Sequence, residues 1–314
     1  MNTPPKEKES IVSGLDPNIR KVMVAVDDSP ASRAAIRYAA FLARQSAARV
    51  ILAHVFVADV PTPAVSLGVA EDSIGKKTAR QKRELAANTD VLDGIDHEQF
   101  SVAGPLGEAM RRSILKNSID LLVLGSSGRT GFERLLHGSA AEEILRAVTC
   151  PVITIGPHAA TRVRRLSTIQ RVLVATDFGA ASILAVGYAI RLTAKWSPVF
   201  TLLHVKKANE DRKTSVERAR RNETELRQMF PNEAYEHSMR GVEIMLKTGE
   251  PAQQIIVSAK RMSADLIVLG ARSSGPLHSI SSHAKTAISA RVIAEAECPV
   301  LTLHRNPHKV VIGN

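Results

Sequence analysis

A glycine-rich segment at residues 125–139 carries the residue types best suited to chemistry in this chain. Gly125 and Gly128 have two residues between them, nine more precede Gly138, and Ser139 follows. Glycines let the backbone approach an anion closely, and the first N–H groups of a helix are free to bond it. The apolar run before the segment predicts a buried strand, and residues 140–147 predict a helix. This composition between a strand and a helix N-terminus predicts a phosphate-binding loop.

The glycine spacing differs from both common nucleotide-binding patterns. No Gly-Lys-Ser/Thr closes the loop, so the lysine of a Walker A loop is absent, and Gly-x-Gly-x-x-Gly is absent as well. Three turn glycines in an ordinary α/β loop are therefore the competing explanation of this segment. The order of elements around the loop favours the phosphate-binding interpretation.

Length and composition indicate two domains with aliphatic cores. The chain has 314 residues, which is room for about two domains. The apolar fraction is 44% but aromatic residues make up only 4%, so Val, Ile, Leu and Ala must fill the cores. Such cores are typical of parallel strands covered by helices. Two cysteines provide no disulfide framework. The N-terminal residues are polar without the apolar core of a signal peptide, and no apolar run approaches the length of a membrane span, so we expect a cytoplasmic protein.

The net charge of +11 allows two interpretations. It fits a nucleic-acid or anionic-membrane partner, or a basic surface together with a small anionic ligand. The basic residues are spread along the chain, several stand beside acidic residues, and no aromatic residues interleave them. We therefore expect the small anionic ligand, with no nucleic-acid and no membrane partner.

The chain contains an internal repeat. Asp27 and Asp177 stand 150 residues apart, as do His54 and His204, and the matched segments are 21–27 with 171–177, 51–55 with 202–205, 120–125 with 265–270, and 150–155 with 298–303. In each copy, short β-branched runs alternate with longer amphipathic segments, which predicts a parallel sheet with right-handed crossovers. In the first copy we expect a helix over 31–47, started by Ser29-Pro30, and strands near 21–26, 49–56, 99–104, 120–125 and 151–155.

The loop, the strand before it and the Cys150-Pro151 ending after it together resemble the universal stress protein family, in two tandem copies. The resemblance implies an α/β, Rossmann-like fold with two tandem open doubly wound parallel five-stranded sheets, each in the order 3-2-1-4-5. The ligand is then expected over the carboxyl ends of the first and fourth strands, where ligands generally bind in open α/β sheets. The predicted organisation is a flexible N-terminal tail (1–20), a nucleotide-binding domain (21–156), a linker (157–170), a second domain with a degenerate loop (171–306) and a C-terminal tail (307–314).

The resemblance implies an adenine nucleotide in the first copy, held by eleven residues. Those facing the nucleoside are Ala25, Val26, Asp27, Val55 and Leu124, and those facing the phosphates are Gly125, Gly128, Arg129, Gly138, Ser139 and Ala140. The carboxylate of Asp27 suits ribose hydroxyls, and the backbone of Val26 suits the adenine edge. The alternative for Asp27 is an acid placed against the dipole of the following helix. A magnesium ion is expected only on the nucleotide's phosphates, because no metal-ligand cluster and no catalytic set emerges from the sequence.

The second copy departs from the loop pattern. Counted back from the matched cysteines, Thr286 and Ala287 replace Gly138 and Ser139, although Gly270 keeps the place of Gly125. A β-branched residue at that position resists close approach of a phosphate, so we expect a weak nucleotide site there or none. We expect structural roles for both histidines of the repeat, and for the matched cysteines small buried packing roles rather than redox sensing.

We therefore predict an ATP-binding stress-response or regulatory protein that holds its nucleotide mainly in the first domain. One alternative is a structural or partner-binding tandem scaffold without nucleotide, and another is a slow ATPase or related ATP-using enzyme. In the family, fifth-strand edges pair across a dimer. Here the edges at 152–155 and 300–303 would pair the two domains within one chain, since exposed apolar edges invite aggregation. A further homodimer through another face is also expected.

Overall fold

The structure, a computed structural model, describes residues 19–27, 29–56, 90–126, 140–206, 224, 240–271 and 280–304. It divides into an N-terminal unit, Ile19–Cys150, and a C-terminal unit whose described residues begin at Pro151. The predicted helix between the second and third strands falls at 57–89, and both predicted tails fall at the chain ends, largely or entirely outside the described residues.

The N-terminal unit alternates strands and helices. Its described elements are β1 (Lys21–Val26), α1 (Pro30–Ser46), β2 (Arg49–Phe56), a short 3-10 turn (Asp90–Leu92), β3 (His97–Ala103), α2 (Leu106–Asn117), β4 (Leu121–Gly125) and α3 (Ala140–Ala147). The four strands are parallel and run in the order β3-β2-β1-β4.

The C-terminal unit repeats this plan. Its described elements are β5 (Val152–Ile155), α4 (Ala160–Val163), β6 (Arg171–Thr176), α5 (Ala180–Thr193), a 3-10 turn (Ala194–Trp196), β7 (Val199–Lys206), β8 (Gly241–Thr248), α6 (Pro251–Arg261), β9 (Leu266–Ala271), α7 (Ile280–Glu295) and β10 (Val300–His304). Its parallel strands run β8-β7-β6-β9-β10, which is the predicted order 3-2-1-4-5, and β5 adds to β10 antiparallel. The predicted fold class is confirmed.

The central strands are buried over most of their length. Val22, Met23 and Val24 of β1, with Leu121 to Val123 of β4, have no exposed surface. Such continuous aliphatic runs are typical of parallel strands with both faces covered. The alanines of α1 on its buried side allow this helix to lie close to β1 and β4.

The start of α1 follows the predicted signals. The Ser29 hydroxyl accepts the N–H of Ser32 at 3.1 Å, and Pro30 occupies the first turn. The helix ends at a left-handed residue, Ala47 (φ 52°), whose N–H bonds the carbonyl of Ala43. Capping of both ends satisfies backbone groups that a helix otherwise leaves unpaired.

An aspartate at the start of the fourth strand holds the first strand in each unit. Asp120 Oδ2 accepts the N–H groups of Arg20 and Lys21, both at 2.9 Å. Asp265 Oδ2 accepts those of Gln170 and Arg171 at 2.8 and 3.0 Å. These carboxylates lie at the amino ends of the strands, the edge opposite to the predicted ligand.

The segment predicted as a linker, 157–170, is folded against the C-terminal unit. It contains α4, and Arg162 Nη2 donates to the carbonyl of Ser263 at 2.7 Å and to Asp265 Oδ1 at 2.6 Å. Ala159, Val163 and Ile169 are buried. The strand before it, β5, pairs antiparallel with β10, Ile153 standing opposite Leu301. Residues 151–170 therefore belong structurally with the second copy.

Both cysteines are buried thiols, and neither forms a disulfide. Burial raises the pKa of the Cys298 thiol to about 12, a shift that the positive charge of Arg162 partly opposes. The thiolate is the reactive form, so a thiol held protonated in this way is inert. In the described ranges, no helix is both long and apolar enough to cross a membrane.

We predict that Cys298 resists alkylation in the folded protein. In a Cys150→Ser variant, which leaves one cysteine, iodoacetamide at pH 8.5 should modify almost no protein in buffer and all of it in denaturant, as measured by intact mass. The raised pKa favours the protonated thiol, so reactivity should grow only as the pH rises toward 12. Native labelling at the rate of a small-molecule thiol would contradict this prediction.

Candidate functional site

The carboxyl ends of β1, β2 and β4 bring together the residues predicted to face a nucleoside. In the sheet register, Val26 stands beside His54 of β2, and Ala25 stands beside Leu124 of β4. Asp27 follows β1 directly, and Gly125 ends β4. The sheet therefore places these residues along one edge of the N-terminal unit.

The site residues differ in what they expose at this edge. Asp27 is exposed, and Ala25 and Gly125 are half-buried. The side chains of Val26 and Leu124 are only 5% and 2% exposed, so they form part of the core. At this edge the Asp27 carboxylate is therefore accessible, whereas the side chains of Val26 and Leu124 contribute no apolar surface.

The remaining predicted site residues lie partly or wholly beyond the described structure. Val55 lies in β2 beside Val102 of β3, but its side chain is outside the described part. Ala140 is the first residue of α3, again without a described side chain. The other four, Gly128, Arg129, Gly138 and Ser139, fall outside the described residues. Among all the residues that the structure describes, no three His, Cys, Asp or Glu side chains form a group that could hold a metal.

Asp27 stabilises the turn between β1 and α1. Its Oδ1 accepts the N–H of Ser29 at 3.0 Å, and its own N–H donates to the hydroxyl of Ser32 at 3.1 Å. The structural role of Asp27 at the helix start therefore needs only one of its carboxylate oxygens, Oδ1. The described part of the chain supplies no partner for Oδ2.

Ser32 is a further residue of this turn, and it was not among the predicted site residues. This side chain is 2% exposed and its hydroxyl holds the β1–α1 turn from inside the core. Ser182 occupies the same place 150 residues later, also 2% exposed, and accepts the N–H of Asp177 at 3.3 Å. The signal was present as an Asp-x₄-Ser spacing shared by both copies.

Gly125 has a packing role that is independent of any ligand. A Cβ built at this position would lie 2.6 Å from the backbone nitrogen of Ser32 and closer still to the carbonyl group of Ala31. Gly270, its counterpart, meets the same obstacle, because a Cβ there would lie 2.5 Å from the carbonyl carbon of Ala181. Both copies therefore need glycine at this position, where the first turn of a helix crosses the strand end.

In the second copy, the equivalent loop positions lie inside a helix. Thr286 and Ala287 lie within α7, which begins at Ile280. Only the first four N–H groups of a helix lack an intrahelical partner. The N–H groups of Thr286 and Ala287 are thus used inside the helix and are not directed at an anion.

The matched histidine of the second copy has a structural contact. His204 Nδ1 lies 2.9 Å from the backbone carbonyl of Thr176, its neighbour in the strand register. A carbonyl only accepts, so Nδ1 carries the proton in this bond. The ring is thereby fixed against the end of β6.

Comparisons with known proteins agree with the repeat. A family model described as "Universal stress protein family" matches residues 18–156 and 168–304. A universal stress protein of Methanocaldococcus jannaschii is 28% identical over 162 residues, which cover 46% of this chain and 87% of that protein. A universal stress protein A homolog of Pasteurella multocida is 33% identical over 110 residues, covering 34% of this chain and 76% of the relative.

A crystal structure of a universal stress protein from Archaeoglobus fulgidus DSM 4304 has the same fold over both copies. Its TM-score is 0.67 at 20% sequence identity, and the match covers 93% of this chain and 99% of that one.

We predict that Gly125→Ala destabilises the N-terminal unit without any ligand present. The added methyl group overlaps backbone atoms of α1, so the helix must shift, which costs about 1–3 kcal/mol of unfolding free energy. Urea denaturation measures the loss, and Gly270→Ala is the matched variant in the C-terminal unit, where a loss of similar size is expected. A Gly125→Ala protein as stable as wild type would contradict the packing role.

Proposed function

Because the chain belongs to the universal stress protein family, we propose that it is an ATP-binding stress-response regulatory protein whose N-terminal unit holds the nucleotide. The observation that carries this proposal is the exposed carboxylate of Asp27. It lies at the carboxyl end of β1, between β2 and β4, with Oδ1 used by the turn and Oδ2 free of described partners. This is the switch point of the strand order, where open α/β sheets bind ligands.

In this proposal, Asp27 Oδ2 accepts hydrogen bonds from the ribose hydroxyls. A carboxylate accepts two such bonds, and bonds to a charged acceptor are stronger than neutral ones. Backbone groups of Ala25 and Val26 bind the adenine edge, while Val55 and Leu124 belong to the strands beneath the base. The burial of Leu124 means that it supports the base through its backbone and the packed core.

The phosphates then lie toward the loop that joins β4 to α3. The N–H groups at Gly128, Gly138, Ser139 and Ala140 would bind them at the start of α3, and Arg129 would add a cation. Gly125 supports the loop by its packing against α1. When bound, a magnesium ion would ride on the phosphates and neutralise part of their charge.

We assign no catalytic residue, and we expect turnover of ATP far below the range of about 1–1000 per second that is typical of enzymes. We also propose that the protein works in the cytoplasm, a location favoured by two buried cysteines that form no disulfide. A homodimer through another face belongs to the same proposal.

Calorimetry with ATP tests the nucleotide site. We expect one ATP per chain for the wild type, and an affinity at least tenfold lower for Gly138→Val, because a β-branched side chain keeps the phosphates away from the backbone. Thr286→Val is the matched control at the equivalent position of the second copy, and it should bind ATP as the wild type does. Equal heats from the wild type and Gly138→Val would overturn the proposal.

A second candidate function, a tandem scaffold that joins its two family domains within one chain, is favoured by the antiparallel pair of β5 and β10. The register sets Val152 opposite Thr302 and Thr154 opposite Val300, and all four side chains are buried. The pair covers two apolar edges that would otherwise be open to other chains. We propose that this pair holds the family domains together whether or not a nucleotide is bound.

Cleavage of the linker tests the scaffold. A protease site inserted between the exposed residues Pro157 and His158 leaves β5 on one fragment and β10 on the other. We expect the fragments to co-elute on gel filtration after cleavage, with and without ATP. Fragments that separate freely under native conditions would refute pairing through these strands.

A further inference from the structure

At the carboxyl edge of the C-terminal unit, the aromatic side chains of Phe178 and His204 pack together, and both residues bond to Thr176. We propose that Phe178 closes the nucleoside corner of this unit from within, so that it determines which of the two copies accepts adenosine. The inference rests on the proposed function of the N-terminal unit, because that unit defines where the nucleoside lies.

The two corners correspond residue by residue. Val26 stands beside His54 in one sheet, and Thr176 stands beside His204 in the other. Asp27 and Asp177 follow these strands, and each carboxylate accepts an N–H two residues later, at 3.0 Å in both units. The residue that follows this aspartate differs between the copies: it is Asp28 in the first and Phe178 in the second.

The ring of Phe178 packs on His204. The two ring centroids are 4.5 Å apart at an interplanar angle of 43°, within the range of favourable aromatic contacts. The histidine is itself fixed by the bond from Nδ1 to the carbonyl of Thr176. The Phe178 ring therefore covers His204 near the carboxyl end of β7. In the first copy, the corresponding place is where the base is proposed to bind.

The backbone of Phe178 is held in a conformation that disfavours bulky residues. Its φ is +60°, in the left-handed region, which is uncommon for any residue other than glycine. The hydroxyl of Thr176 accepts the Phe178 N–H at 2.9 Å and so supports this conformation. Val26, at the equivalent place in the first copy, has no hydroxyl to offer. The second copy thus carries both the aromatic residue and the side chain that fixes it.

The groups that would recognise a nucleoside are engaged internally in this corner. The carbonyl of Thr176 accepts from His204, while the backbone of its counterpart Val26 is proposed to bind adenine. Asp177 Oδ1 accepts two bonds, from the N–H of Gly179 at 3.0 Å and from the hydroxyl of Ser182 at 2.8 Å. The Thr176 carbonyl and one carboxylate oxygen of Asp177 are therefore engaged within this unit.

Adenosine titration of the full-length chain, followed by NMR, tests the inference. Adenosine is the appropriate probe because it needs no phosphate loop. We expect one bound adenosine for the wild type and two for Phe178→Ala and Phe178→Asp, the latter restoring the residue type of the first copy. Phe178→Tyr, which keeps the ring, should bind one, and the reciprocal Asp28→Phe should weaken binding to the first copy at least tenfold.

The outcomes separate the two proposals. If the wild type binds none and Phe178→Ala binds one, the closing role of Phe178 stands and the N-terminal nucleotide site is overturned. If neither Phe178→Ala nor Phe178→Asp binds more adenosine than the wild type, the closing role is overturned.

A readout without ligand guards against misfolded variants. The His204 ring resonances, identified by their loss in His204→Gln, should shift in Phe178→Ala as the ring current disappears. They should stay close to their wild-type positions in Phe178→Tyr. An unchanged His204 spectrum in Phe178→Ala would also overturn the inference.

Discussion

The close crossing of a helix start over a strand end is the constraint on which the carboxyl edge of each unit depends. Gly125 ends β4 where the backbone of Ala31 and Ser32 passes, and no side chain fits between them. Gly270 and Ala181 repeat this crossing. Because the strand end and the first turn of the helix touch through their backbones, the turn after the first strand is held at a defined height above the sheet. The exposed carboxylate on that turn is thereby placed at the switch point.

Within that constraint, a buried serine and an aspartate build the same turn twice. Ser32 and Ser182 each accept the N–H of the aspartate five residues earlier, and the aspartate accepts the N–H two residues after itself. The turn is therefore a property of the fold. What distinguishes the copies is the use of the remaining polar atoms, since Ser182 also donates to Asp177 and thereby engages that carboxylate within the protein.

The contacts that stabilise the sheet and the proposed ligand site lie at opposite ends of the strands. At the amino ends, Asp120 and Asp265 each bind two backbone N–H groups and fix the register of the first and fourth strands. Arg162 joins this network in the C-terminal unit and folds the segment after β5 onto it. In the part of the chain that the structure describes, the carboxylates that clamp the first and fourth strands thus lie at their amino ends.

The sequence by itself determined the elements whose signals are local or repeated. Short β-branched runs predicted β1 and β2 at their observed bounds, and Ser29 and Pro30 predicted the start of α1. The strand order was implied by the family resemblance that these motifs carry. The third strand begins at His97 rather than near 99, because its ends follow the register with β2, which the sequence does not display.

Only the tertiary structure decided the features that depend on distant atoms. The sequence does not distinguish a glycine that makes room for a ligand from one that makes room for a helix. The close approach of Ala31 to Gly125 shows that packing alone requires glycine at this position. The segment 157–170 has the composition of a linker, yet its contact with Asp265 folds it onto the second copy. The left-handed backbone of Phe178 likewise arises from Thr176 and His204, partners that no local pattern reveals.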